Sequence, residues 1–390
     1  MATTDITYPT PAMNNPSDPN FFSRRRFLGH MAAGAAMGLL WRPARAEDSP
    51  QPARKLGVAL VGLGVYSAYH LGPALRLTGH CRLAGVVTGS RAKGEQWAGD
   101  YGFPEGNIFS YDTMAAMAGN PDIDIVYVVT PNGVHAQHCI AAAKAGKHVI
   151  CEKPMANSVA DCDAIIAACK AAGVRLMVGY RLHYEPHHVE FARLARERVF
   201  GPFMRMEGAN GFRMGPQANA SNTWRLNKKM AGGGPLMDMG VYVIQAACMA
   251  KAEAAPVAIT AEFGAVTRPG SFSEVEESVR WTMEFADGAK AKCHATYAEG
   301  VSRFQAEADG GWARLEEPAF YYDEPLLTTS LGPVNLPKVN HQAAQMDGMA
   351  LEILDHRPSA APGEMGRRDI AIVEAIYAAA AGGGRVEVRS

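Results

Sequence analysis

A short apolar run, Leu56–Gly62, ends in Gly62-Leu63-Gly64-Val65-Tyr66-Ser67. A strand that passes through a two-glycine turn straight into a helix fits few folds. Gly62 permits the tight turn, Gly64 lets backbone approach a phosphate group, and the helix start behind them favours negative charge. Ser67 stands where a third glycine is usual. The downstream pattern strengthens this assignment. A helix is expected over Ser67–Thr78, a strand over Arg82–Thr88 and a helix over Arg91–Tyr101. Further strands read at Ile125–Val129, His148–Cys151 and Leu176–Gly179, with helices between them. Apolar runs alternating with helical segments predict an α/β fold built on a parallel, doubly wound sheet.

The end of the second strand bears on the ligand. Sites for NAD place an acid there for the ribose 2′-hydroxyl. Here the strand ends in Thr88-Gly89-Ser90-Arg91, with Lys93 just beyond and no acid before Glu95. Hydroxyls and two cations suit the 2′-phosphate of NADP, the alternative being ordinary solvated charges at a helix start. Gly62, Gly64, Val65, Tyr66, Thr88, Ser90, Arg91 and Lys93 are therefore candidate cofactor contacts.

The first 46 residues have another character. Ser23-Arg24-Arg25-Arg26-Phe27-Leu28 precedes a mildly apolar run to Trp41, and Ala44-Arg45-Ala46 offers a small-x-small cleavage pattern. The run is too short and too mild for a membrane span. Adjacent arginines in this setting resemble a twin-arginine export signal, which predicts passage of a folded protein through that export machinery to the periplasm. The segment holds five Arg against two acids, so its removal moves the formal net charge from −1 to −4. Nothing basic remains to suggest nucleic acid or a membrane surface as a partner. Seven scattered cysteines without a Cys-x-x-Cys read as core residues rather than disulfides or a zinc site.

Two longer signatures stand further along: Thr130-Pro131-Asn132-Gly133-Val134-His135, and Cys151-Glu152-Lys153-Pro154 after Ala145-Gly146-Lys147. Beyond them stand Gly179-Tyr180-Arg181-Leu182-His183-Tyr184-Glu185-Pro186, Trp224-Arg225-Leu226, and Gly232-Gly233-Gly234-Pro235-Leu236-Met237-Asp238-Met239-Gly240-Val241-Tyr242. Together these resemble the glucose–fructose oxidoreductase / inositol dehydrogenase / rhizopine-catabolism family over nearly all of the chain after the leader, its glucose–fructose oxidoreductase members above all. The resemblance implies a Rossmann domain (47–180) and a second α/β domain (181–390) with a large open, mainly antiparallel sheet, one face of which commonly forms a subunit interface. The alternating segments Val257–Val266, Glu274–Phe285 and Ala289–Tyr297 and the helical patterns His341–Leu354 and Gly363–Ala380 agree with it.

The resemblance also places Lys153 beside the nicotinamide and the reacting hydroxyl. It adds Thr130, Asn132, His135, Glu152 and Arg181 to the cofactor contacts. Asp238 and Tyr242 lie four apart near a helix start, hence on one face. Many relatives carry His where Tyr242 stands. The expected roles are Tyr242 as acid/base, Lys153 as the charge that tunes it and polarises the oxygen, and Asp238 as substrate orienter. Tyr184, Arg181, Trp224 and Arg225 are expected substrate contacts. His183, Glu185, His187, His188 and Glu190 crowd together, but Pro186 interrupts them and the family needs no metal, so no metal site is expected.

The function these features imply is a sugar oxidoreductase that holds NADP without releasing it. It would oxidise an aldose at C1 to the aldonolactone and reduce a second sugar, aldose or ketose, to its alditol in a ping-pong cycle. The alternatives are an ordinary NADP-dependent aldose dehydrogenase, a redox-assisted glycosidase and a non-catalytic sensor. Glucose–fructose oxidoreductases place a long arm between signal and Rossmann domain, whereas here only Glu47–Arg54 precede the strand. A dimer through the open sheet face is therefore expected rather than an arm-linked tetramer.

Overall fold

The computed structural model describes residues 54–215, 224–322 and 325–388. The leader expected over 1–46 lies outside the described residues.

Strand β1 (Leu56–Val61) is LGVALV, buried along its whole length, as a central parallel strand must be. It pairs in parallel with β2 (Cys81–Val87) on one side and with β4 (Ile125–Val128) on the other. β3 (Ile108–Phe109), β5 (His148–Cys151) and β6 (Leu176–Val178) complete a six-stranded parallel sheet in the order β3-β2-β1-β4-β5-β6. That is the dinucleotide-fold order, with its reversal between β1 and β4, where such folds take their ligands. The helix expected from Ser67 begins instead as a wide π turn, Ser67–Leu71, and continues only as α1 (Gly72–Leu75). Helices α2 (Arg91–Tyr101), α3 (His135–Lys144) and α4 (Val159–Ala171) come after β2, β4 and β5. Ser90 caps α2 by accepting the Lys93 amide, and Ser158 caps α4 in the same way.

After β6 the chain enters a turn, Arg181–Tyr184, and then α5 (Pro186–Arg196). The second sheet has nine strands. In chain order they are β7 (Arg205–Gly211), β8 (Ala258–Phe263), β9 (Ser278–Glu284), β10 (Lys290–Thr296), β11 (Val301–Ala308), β12 (Gly311–Glu316), β13 (Leu326–Thr329), β14 (Gly332–Val334) and β15 (Val386–Glu387). Their spatial order is β14-β13-β12-β11-β7-β10-β9-β8-β15, antiparallel except where β7 runs parallel to β10. Alternation sorts its two faces. Val279, Trp281 and Met283 of β9 are buried, whereas Arg280 between them is exposed.

Helix α6 (Lys228–Ala231) and the glycine run lead into a second π turn, Leu236–Gly240, and α7 (Val241–Ala250). Every residue of α7 is buried, because it packs against β7, β10 and β11. Gly240 is needed there: a Cβ would lie 2.8 Å from Leu236 Cδ1 and 3.2 Å from Ala295 Cβ. Helices α8 (His341–Leu354) and α9 (Gly363–Gly382) close the chain. α8 packs on the Arg181–Tyr184 turn and on α1, and α9 on β8 and α4. All seven cysteines are buried and unpaired. No helix of the described residues is long and apolar enough to cross a membrane.

Candidate active site

Two lines of side chains converge near the carboxyl end of the parallel sheet. The first is the glycine turn after β1. Gly62 has φ +97°, where a side chain would be strained, and a Cβ there would press on Thr130 and Val129 at 3.1 Å. A Cβ on Gly64 would meet nothing within 4 Å, so this backbone faces open space. Ser67, in the place of the third glycine, is buried and its Oγ donates to the Gly62 carbonyl at 2.6 Å, tying the helix start to the turn. At the end of β2 the Thr88 Oγ1 accepts the Ser90 amide at 3.2 Å. Lys93 Nζ reaches back to the Leu63 carbonyl at 2.5 Å, which brings its charge to the turn itself. Arg91 is already paired with Glu95 (2.9 Å) and Glu105 (3.1 Å). A turn open to a ligand, with Lys93 beside it and no acid at the strand end, fits a dinucleotide.

The second line starts at Lys153, just beyond β5. Its Nζ donates to the Asp238 carbonyl at 2.8 Å and to Asp238 Oδ1 at 3.4 Å, and it lies 4.6 Å from the centroid of the Tyr242 ring. Asp238 is engaged at both oxygens, because Oδ2 accepts from Arg225 Nε (3.1 Å) and from the Tyr297 hydroxyl (2.9 Å). Arg225 in turn stacks on Trp224, with Cζ 4.6 Å from a ring centroid. Burial would raise the Asp238 carboxyl, but the charges of Arg225 and Lys153 and the Tyr297 bond hold it well below the usual carboxylate range. Burial likewise works against the Lys153 ammonium, and the acidic groups of Tyr242, Asp238 and Glu152 outweigh it, holding Lys153 above its ordinary value. Lys153 is thus held as an ammonium. Burial pushes the Glu152 carboxyl up, although Lys153 opposes this; Oε1 accepts from the Tyr127 hydroxyl (2.7 Å) and Oε2 from the Lys153 amide (2.9 Å).

Arg181 joins this group from the turn after β6. It is 2% exposed and stacks on Tyr242 (5.2 Å) and Tyr322 (4.6 Å). Tyr322 reaches the other line, 4.2 Å from His70 and 6.1 Å from Tyr66.

The structure therefore brings together Lys153, Asp238, Tyr242, Arg225, Trp224, Glu152 and Arg181. Tyr184, expected in the same pocket, has other partners: its hydroxyl donates to Glu352 at 2.9 Å, and its ring packs against Gly348 of α8. His135, expected as a cofactor contact, is fully buried with its ring nitrogens against the carbonyls of Thr130 (2.7 Å) and Pro154 (3.1 Å). It fastens the Thr-Pro-Asn loop to the Glu-Lys-Pro loop. Asn132 similarly donates to the Ala231 carbonyl at 2.8 Å. Thr130 is buried, its Oγ1 3.1 Å from His138 Nδ1. Val65 is exposed beside Gly64. Tyr297, Tyr322 and His341 are not singled out by sequence; of these only Tyr297 carries a signal, as an aromatic at the end of a strand. In the crowd at 183–190, His183 meets Gln245, Glu190 pairs with Arg193, and Glu185 caps α5. The Glu185 carboxylate accepts the amides and ring Nδ1 atoms of His187 and His188. Burial would raise this carboxyl, but the bonds and charge of His188 take it down to about 2.

A concavity of about 730 Å³ lies elsewhere, on the outward face of the nine-stranded sheet among Glu262, Arg280, His294 and Arg303. Neither Lys153 nor any residue grouped with it lines this concavity. Charge and donors meet instead around Lys153.

Comparison with known proteins agrees with this geometry. Residues 56–180 match the oxidoreductase family model with an NAD-binding Rossmann fold, and residues 188–314 match the GFO/IDH/MocA C-terminal domain. The crystal structure of aldose-aldose oxidoreductase from Caulobacter crescentus complexed with glycerol is 39% identical with a TM-score of 0.81, over 86% of this chain and 100% of that one. A D-xylose 1-dehydrogenase [NADP(+)] from Haloarcula marismortui is 26% identical over 346 residues, 87% of this chain and 93% of its own length. A 1,5-anhydro-D-fructose reductase from Ensifer adhaerens is 26% identical over 341 residues, 85% and 98% of the respective chains. A parallel sheet of dinucleotide-binding order, a mixed and mostly antiparallel second sheet, and matches to both family domains lead to one assignment: the chain belongs to the GFO/IDH/MocA family of oxidoreductases.

Proposed function

We propose that the protein is a sugar oxidoreductase that keeps NADP bound through a whole catalytic cycle. One aldose leaves as its aldonolactone, and a second sugar, aldose or ketose, enters the same pocket and leaves as the alditol. The nicotinamide, when bound, supplies acceptance of hydride from C1 and its return to the second carbonyl carbon. The chain supplies the rest. Tyr242 takes the C1 hydroxyl proton on its phenolate oxygen in the first half and, as the phenol so formed, returns that proton to the carbonyl oxygen in the second. Lys153 stays charged and steadies the negative charge that builds on that oxygen. Asp238, occupied by Lys153, Arg225 and Tyr297, fixes the ammonium in place and orients the sugar only through those neighbours. Trp224 offers the sugar a flat apolar face.

The convergence of Lys153, Asp238 and Tyr242 on one point carries this reading, and the aldose-aldose oxidoreductase neighbour supports it. A second reading, an NADP-dependent aldose dehydrogenase that releases its cofactor, is favoured by the xylose dehydrogenase relative. One incubation separates them. Purified protein is given glucose or xylose without added cofactor, and aldonic acid and alditol are quantified. Equal amounts of both, far above the enzyme concentration, support the cycle. Product only after NADP is added supports the dehydrogenase.

Two further parts belong to the proposal. The leader over residues 1–46, with its arginine cluster at Ser23–Leu28, sends the folded, cofactor-loaded protein to the periplasm, which a fractionation of the native host checks. The outward sheet face, which carries the polar concavity, joins two copies as a dimer, which sedimentation checks.

A further inference from the structure

The glycine run ahead of Asp238 is shaped by a carboxylate that the proposed chemistry does not use. Glu276, just before β9, sends its side chain into the turn over 232–236. Its Oε2 accepts the Gly234 amide at 2.9 Å. Its Oε1 accepts the Leu236 amide at 3.1 Å and the Tyr377 hydroxyl of α9 at 3.0 Å. The glycines make room for this approach. A Cβ on Gly234 would overlap the Glu276 carbonyl, and one on Gly233 would overlap the Tyr377 hydroxyl. Burial pushes the Glu276 carboxyl up, and the Gly234 and Leu236 amides oppose this.

Amides at the start of a helical turn have no partner within it, and a carboxylate there is favoured by the bonds and by the helix dipole. Glu276 supplies that cap from 40 residues away in sequence. The consequence lies two residues beyond Leu236. The Asp238 amide bonds the Gly234 carbonyl at 3.3 Å, while the Asp238 carbonyl and Oδ1 hold the Lys153 ammonium. The peptide units gripped by Glu276 thus set where Asp238 enters the site. The next residue along the chain grips the other side. Glu277 Oε1 accepts from Arg268 Nε at 2.8 Å, and Arg268 Nη2 donates to the Tyr297 carbonyl at 2.7 Å. The Tyr297 hydroxyl in turn holds Asp238 Oδ2. Two adjacent carboxylates therefore fix Asp238, one through its main chain and one through its side chain.

We propose that Glu276 is a positioning residue, which holds Asp238, and through Asp238 the Lys153 ammonium, where the reacting oxygen needs it. It acts on the site only through the turn that it caps. This deepens the sugar oxidoreductase reading and rests on the roles given there to Lys153 and Asp238.

Glu276→Gln keeps the shape but replaces one acceptor oxygen by a donor, so one of the two amides loses its partner. With glucose or xylose and with NADP supplied, kcat is expected to fall at least about tenfold while KM stays within about threefold, because a displaced ammonium costs the transition state more than the bound sugar. A destabilised control separates positioning from mere loss of stability. Phe203 is buried ahead of β7, at the end away from Asn210, which bonds the Met239 carbonyl beside the site. Phe203→Leu is expected to lower the urea midpoint at least as far as Glu276→Gln does and to leave kcat within about twofold. A kcat loss in Glu276→Gln no larger than in this control overturns the positioning role. Amide hydrogen exchange over 232–240 needs no sugar and is expected to be severalfold faster in Glu276→Gln. Unchanged exchange overturns the clamp. A wild type inactive on sugars defeats the functional reading alone, and the exchange comparison still decides the clamp. Should Glu276→Gln not fold, Glu276→Asp, which keeps the charge on a shorter arm, makes the same comparisons.

Discussion

Lys153 presents its ammonium to the face of the Tyr242 ring, 4.6 Å from the centroid, while its hydrogen bonds go to Asp238. The charge is thus held beside the phenol by a third group. Replacing either partner separates their roles. Tyr242→Phe removes the proposed proton carrier and keeps the ring, and it is expected to lower kcat by about 10²- to 10⁴-fold. Lys153→Met removes the ammonium proposed to steady the developing oxyanion, with an expected loss of about 10²- to 10³-fold. In both, nucleotide released by acid from the purified protein stays at the wild-type level. Undiminished turnover in either variant removes that residue from the chemistry.

Asp238 links three groups, so its loss is structural as well as catalytic. Asp238→Ala leaves the half-buried Lys153 and Arg225 without this carboxylate and is expected to destabilise the fold by about 3 kcal/mol. Tyr297→Phe removes a single bond to Oδ2, for about 1 kcal/mol. Urea midpoints rank the two; equal midpoints would contradict the network.

Lys93 touches the glycine turn, and Arg91 is already paired with two glutamates. Lys93→Ala is therefore expected to raise the Kd of NADP about tenfold while changing that of NAD less than about twofold. Arg91→Ala is expected to change either by less than about threefold. Titration with both nucleotides checks this, and equal losses for NADP and NAD in Lys93→Ala would refute the 2′-phosphate role.

The Tyr184 hydroxyl is bonded to Glu352, so Tyr184→Phe is expected to leave kcat/KM for the sugar within about twofold and to lower stability by about 1 kcal/mol. A large rise in KM would return this residue to the substrate pocket.

His341 gives a pH signature. Its folded value, about 4, lies below the ordinary 6.5, because burial and Arg181 disfavour the imidazolium. Below pH 6.5 the unfolded chain takes up a proton that the folded chain refuses. Stability therefore falls as pH drops from about 6.5 to about 4, by up to about 1.4 kcal/mol per pH unit for this group. Other buried histidines, His138 among them, add to the wild-type slope. The difference between wild type and His341→Asn, in urea midpoints at pH 7.5, 5.5 and 4.5, isolates this share. Parallel curves would contradict it.

Local pattern is enough where local physics decides. The expected helices Arg91–Tyr101 and His341–Leu354 and the strand His148–Cys151 have those bounds in the structure. Ser90 and Asn340 stand at the two helix starts and cap them. Ser67–Thr78 reads as one helix in the sequence, but the segment opens as a π turn. Asp238 and Lys153 are legible as members of one site through their motifs. Tyr297 and Tyr322 are not, because their roles rest on contacts far along the chain, such as Tyr297 to Asp238 across 59 residues. Tyr184 carries a motif position but not its partner, since nothing near it in sequence announces Glu352, 168 residues away.

The wide turn at Leu236–Gly240 amounts to one residue more than an α-helix would hold, with the Val241 amide reaching back to the Leu236 carbonyl. Deleting one residue there would restore regular winding and turn the preceding segment by about 100° against α7. Asp238 would swing away from Lys153 while Tyr242 stayed put. Single-residue gaps at this point, unlike substitutions, would abolish the constellation in one step, which makes the length of this segment a heritable constraint in its own right.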